Sequence, residues 1–142
     1  MSHIAKMSVA VTSVPALTAA CVKRLGWSLE AAEEYAWFGR WVGDTPLPAG
    51  VNVHDLGKCD FKIKIPGCRY EVGVVKQPNG SLTLLWDYWD QSLLKAMGQD
   101  GARLAEAYTL EAAIEAMQAD GATLLGETVM PDGVVELEFS TL

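Results

Sequence analysis

Residues 59–89 read CDFKIKIPGCRYEVGVVKQPNGSLTLLWDYW, and this stretch decides the fold because it resolves almost without a gap into consecutive antiparallel strands. A strand sends successive side chains to opposite faces, so Phe61, Ile63 and Ile65 share one face while Lys62 and Lys64 share the other. Pro66 and Gly67 stop that strand, because proline has no donor for the ladder and glycine frees the turn. Residues 70–76 resume the pattern with Val72 and Val74 on one face. Pro78, Asn79 and Gly80 then supply a fixed φ followed by residues tolerant of positive φ, so 70–76 and 81–86 are predicted to pair as a hairpin. In the last strand Leu82, Leu84 and Trp86 occupy one face and Leu85 the other, a pattern that suits an interior strand rather than an edge.

Upstream, residues 3–12 alternate, with Ile4, Met7, Val9 and Val11 giving strand character to a first strand. Ser13 is placed to cap a helix that tolerates Pro15 in its first turn, carries Val14, Leu17, Cys21 and Leu25 at helical spacing, and ends at Gly26. Residues 28–34 are helical by propensity, whereas Tyr35, Trp37, Phe38 and Trp41 around Gly39 read as a bulged strand. Two prolines, glycine borders and no period make 43–57 a long surface loop.

Downstream, 91–97 is a short helical piece and 100–120 a longer one, striped by Leu104, Tyr108, Leu110, Ile114 and Met117, with an offset at Thr109 that allows a bend or a capped break there. Residues 122–129 and 134–139 flank a Met130-Pro131-Asp132-Gly133 turn and form a second hairpin. Val135, Leu137 and Phe139 are expected to point inward and Glu136 and Glu138 to water. The order predicts an α+β fold: a largely antiparallel sheet with helices on one face, in a single domain spanning 1–142.

With 142 residues, half of them apolar and a fifth charged, the chain is long enough for one ordinary core. No run reaches the roughly 18 apolar residues of a membrane span, and the start MSHIAKMSVAVTS lacks the pattern of a secretory signal. Cys21, Cys59 and Cys68 are odd in number and show no CxxC spacing. Separate free thiols in a cytoplasmic setting are therefore expected rather than a Cys59–Cys68 bridge. Residues 1–80 hold nine Lys and Arg against seven Asp and Glu, and residues 81–142 hold two against eleven. The net charge of −7 argues against nucleic acid, whose phosphates an acidic field repels.

The opening Met1-Ser2-His3, Leu25-Gly26, Gly57-Lys58-Cys59-Asp60, Tyr70-Glu71-Val72-Gly73, Leu85-Trp86-Asp87, Ala107-Tyr108 and Pro131-Asp132-Gly133 follow one another over most of the chain. In these the chain resembles the uncharacterised hypothetical chloroplast reading frame thirty-five family of cyanobacteria, plastids, other bacteria and phages. It departs from that pattern at Phe61, where relatives often carry histidine, and in a longer 43–57 loop. The resemblance implies a fold and a cytoplasmic or stromal setting; it implies no activity and no cofactor.

Four groups of residues carry candidate chemistry. His3, His54, Cys59, Asp60 and Cys68 are zinc-ligand types, yet their spacing matches no finger, and no metal is expected. Cys59 beside His54 or His3 would make a nucleophile, and Asp87 with Asp90 a carboxylate pair, but no nucleophile elbow, Walker loop or GxGxxG is present and no catalytic residue is assigned. For Asp90, capping of the following helix is the preferred role. Lys62, Lys64 and Arg69, with Trp86 and Tyr88, combine cations with stacking surfaces suited to a small anionic, nucleotide-like ligand. Trp37, Phe38 and Trp41 beside the proline-rich loop are the candidate interface. The first expectation is thus a noncatalytic protein acting through homo-oligomerisation or a protein partner, and the second a binder of a small anion. An apolar patch at 37–41 would favour the first, and a pocket lined by Lys62, Lys64 and Trp86 the second.

Overall fold

Five strands, β1 (Ile4–Lys6), β2 (Ser28–Ala31), β3 (Phe61–Lys64), β4 (Val72–Lys76) and β5 (Leu82–Asp87), form one antiparallel sheet in the order β1-β5-β4-β3-β2. The computed structural model describes residues 2–7, 9–43 and 45–141. Met1, in the family-like opening, Ser8, in the expected first strand, and Asp44, in the expected loop, lie outside the described residues, as does Leu142. The expected hairpin forms with Val74 opposite Leu84, and Gln77 and Ser81 close its turn through a 2.8 Å backbone bond. Both edge strands are short, which limits unpaired ladder groups. The first strand is shorter than its alternating sequence, although Val11 returns to bridge Leu82.

The interior position expected for 82–86 is observed, with β5 between β1 and β4. Leu82, Leu84 and Trp86 join Ile63, Val72 and Val74 in the larger core, under Leu17, Cys21, Leu93, Met97, Leu104 and Tyr108 of the helices. Those helices are α1 (Val14–Ala19) with the π-helical turn that follows it and carries Cys21, α2 (Ser92–Met97) and α3 (Ala102–Ala119). Ser13 caps α1 by accepting from the Ala16 amide at 3.1 Å, and α1 passes directly into a π-helix, Ala20–Leu25, that Gly26 ends with φ of 70°. No bend occurs at Thr109, whose hydroxyl donates to Ala105 O within a continuous helix. Such back-bonding often bends a helix, but α3 runs through Thr109 without a break.

The other sheet face carries a second cluster, in which Ile4, Leu85, Tyr35 and Leu56 are buried and Trp37, Trp41, Leu47 and Val51 pack against them. The described residues of 43–57 are irregular apart from a short 3-10 turn, Val53–Asp55, closed by reciprocal bonds between Asn52 and Asp55. Leu47, Val51 and Leu56 thus give this segment an inner side that covers the sheet.

Residues 28–34 are extended rather than helical: β2 pairs with β3, and Glu34 bridges Lys58. Cross-strand pairing overrides a helical preference worth only tenths of a kcal/mol per residue. Beyond it Tyr35 is buried, Ala36 exposed, Trp37 half-buried and Phe38 exposed, so the alternation of a strand is present without a ladder. The Tyr35 amide donates to Gly57 O at 3.1 Å, whereas two later donors go to side chains, the Ala36 amide to Glu71 Oε1 at 2.8 Å and the Phe38 amide to Asp87 Oδ2 at 3.1 Å.

The final hairpin, β6 (Thr123–Val129) and β7 (Val135–Ser140), is a separate two-stranded sheet. Val135, Leu137 and Phe139 alternate with exposed Glu136 and Glu138 as expected, but they are only half-buried.

Candidate functional site

Asp87 ends β5 on the face that carries Leu85, and its side chain is fully buried. Its carboxylate accepts three backbone N–H groups: His3 at 3.1 Å and Trp89 at 3.0 Å on Oδ1, and Phe38 at 3.1 Å on Oδ2. A buried charge persists only when it is saturated by donors, and here the donors come from three separate segments. Ser2, also fully buried, donates from its hydroxyl to Arg40 O at 2.8 Å and ties the same segments a second time.

Two large side chains leave this mount toward solvent. Phe38 is 39% exposed and Trp89 43%, and Val42, close in sequence to Phe38, is 40% exposed. Of the expected interface residues, Trp37 and Trp41 instead turn partly inward onto the second core. The Trp37 indole lies so near Gly57 that a Cβ there would approach Nε1 to 2.6 Å. Trp89 was not singled out by sequence reasoning, nor was Asp87 as an anchor. The available signal was parity, since Asp87 shares the face of Leu85 and so had to be buried with it.

The cationic and aromatic residues do not converge. Lys62 stands opposite Gly73, which stands opposite Leu85, so Lys62 projects on the Leu85 face while Trp86 projects on the other. The sheet itself separates them. Lys62 pairs with Glu71 at 3.3 Å and Glu30 at 4.0 Å, and Lys64 with Glu30 at 3.4 Å. Lys64 and Arg69 line a cleft of about 510 Å³ beside Trp27 and Cys68, and Arg69 also lies over the Tyr70 ring at 5.6 Å. Trp86 and Tyr88 line a different cleft of about 430 Å³, and the Tyr88 ring is 5.5 Å from that of His3.

Nucleophilic chemistry finds little support in the local electrostatics. All three cysteines are free thiols. Burial, followed by the nearby Asp60 charge, pushes the Cys59 thiol up, and its Sγ donates to Ala32 O at 3.4 Å. A raised pKa is the reverse of what activates a thiolate. Burial also raises Cys68, against an opposing bond from Ser92. Asp90 accepts from the amide and hydroxyl of Ser92 at 3.1 and 2.9 Å, but the N-cap of α2 is Gln91, which makes no side-chain cap bond, so Asp90 holds the first helical residue from one position before the cap rather than capping the helix as expected. Among the described residues no group of three or more His, Cys, Asp or Glu side chains is gathered to hold a metal ion.

No helix among the described residues is long and apolar enough to cross a membrane. Compared with protein-family models, curated proteins and solved structures, the chain matches none.

Proposed function

We propose that this chain is a noncatalytic interaction protein that docks through the aromatic surface at Phe38 and Trp89. The observation that carries this reading is the attachment of both residues, by their backbone amides, to the single buried carboxylate of Asp87. Isolated exposed apolar residues need no explanation, but exposed aromatics on a rigid common mount have the properties of interface anchors. Holding the backbone beneath them lowers the entropy lost on association. A photo-crosslinking residue at position 38 or 89, compared with one at exposed Asn79, tests it in the native host. One adduct of defined mass is expected from 38 and 89 and not from 79, and sedimentation then assigns it to a second copy or to another protein. Monomeric protein with the same diffuse products from all three positions would defeat the proposal.

A second reading rests on Lys64 and Arg69 meeting beside Trp27 in one cleft. It makes that cleft, rather than the Lys62–Trp86 pair, the place for a small anion. Glu30 on Lys64 and Glu71 in the cleft lining oppose it, so the aromatic surface is preferred. Titration with inorganic phosphate and a nucleoside triphosphate, read by tryptophan emission, would separate the two readings.

A further inference from the structure

The C-terminal hairpin returns over α3 after Gly121, whose φ of 91° turns the chain. Leu124 and Glu127 of β6 reach the level of Ile114 and Glu111 on α3, and the hairpin tip reaches the level of Ala105 and Leu110. No described residue of β6 or β7 is buried, and Val129 and Val134 are 72% and 56% exposed. An isolated two-stranded hairpin is marginal in water unless its apolar face is covered. Between tip and helix lies an open cleft of about 660 Å³ walled by Val9, Ala105, Leu110, Val134 and Val135.

The rim of this cleft decides its occupant. Glu106 and Asp132 line it, and residues 101–142 contain eight acidic side chains and a single basic one, Arg103, which donates to Ala96 O. The same face of a second copy would bring like charge against like charge, and so would an acidic peptide. We propose that the cleft between α3 and the hairpin tip docks an apolar protein segment flanked by lysine or arginine. The apolar side chains enter between Leu110 and Val134, and the cations meet Glu106 and Asp132. This surface is argued from charge and exposure independently of the aromatic mount, so either can fail alone.

The test uses the full chain and two amphipathic peptides of equal length and leucine content, one carrying lysine and the other glutamate. The lysine peptide is expected to shift the amide resonances of Ala105, Leu110, Val134 and Val135, with affinity falling as salt is raised. The glutamate peptide is expected to leave them unmoved. Val134→Ser, at an exposed position, is expected to weaken the lysine peptide about tenfold without lowering the melting temperature. Glu106→Lys with Asp132→Asn, which keeps the carbonyl that accepts from the Val134 amide, is expected to abolish the charge preference. Equal binding of both peptides, no binding of either, shifts confined to another surface, or dimerisation through this face would each overturn the proposal.

Discussion

The Tyr35 ring fills the space where a β-carbon of residue 73 would stand, close against Gly73 within β4. Glycine inside a strand weakens it, and this one is explained by the close approach of a ring from the covering segment. Gly73→Ala is expected to destabilise the protein by about 1–3 kcal/mol through overpacking, measured by urea unfolding. Gly126→Ala, where a β-carbon meets open space, is the control and should change stability by less than about 0.5 kcal/mol.

Tyr35 and Cys21 make stability fall at alkaline pH. Burial pushes the Tyr35 phenol from 10.0 up to about 12 and the Cys21 thiol from 9.0 up to about 12. Above its ordinary value each group loses its proton in the unfolded chain while the folded chain keeps it, so stability is intact below that value and declines toward about 12. Each group contributes a slope of about 1.4 kcal/mol per pH unit within its window. Tyr35→Phe and Cys21→Ala should each flatten the decline. Among the described residues the Tyr35 hydroxyl is buried without a hydrogen-bond partner of good geometry, although the Gly57 backbone lies near enough to oppose the rise in its pKa, so its removal should cost little at neutral pH. Urea midpoints at about pH 8 and pH 10.5 check both statements.

Replacing Asp87 should release the aromatic mount. Asp87→Asn retains one good acceptor but turns a donor toward an amide, and a loss of about 1–3 kcal/mol is expected. Asp87→Ala leaves three part-buried N–H groups without this acceptor and should cost more than Asp87→Asn, about 3 kcal/mol. Tryptic cleavage after exposed Arg40 should accelerate in both variants, more in the second.

Arg24, on the π-helix, ties the hairpin to the helical layer by contacting Glu111 on α3 at 3.1 Å and Glu127 on β6 at 2.6 Å. These carboxylates hold its guanidinium above its ordinary pKa, the Glu127 bond foremost. Glu127 is about one-third exposed, so the loss in Arg24→Met is screened and should be local, about 1 kcal/mol. Amides of β6 and β7 should exchange several-fold faster while the urea midpoint of the sheet barely moves.

Alternation in 61–65, 72–76 and 82–87, broken by Pro66-Gly67 and Pro78-Asn79-Gly80, was sufficient to read three adjacent strands, because side-chain parity and turn chemistry are local properties. The Ser13-to-Gly26 helix was legible for the same reason, although nothing local marked the π turn that carries Arg24. Pairing partners were not local. Register put Lys62 and Trp86 on opposite faces of one sheet, and contact with β3 made a strand of helix-prone residues 28–31. The Phe38–Trp89 surface also needed the tertiary structure, because its mount is one carboxylate gathering amides from positions 3, 38 and 89. Sequence by itself determined which segments alternate and where they turn; only the folded chain decided which face each side chain shares and whose donors satisfy Asp87, since both depend on contacts between residues far apart in the chain.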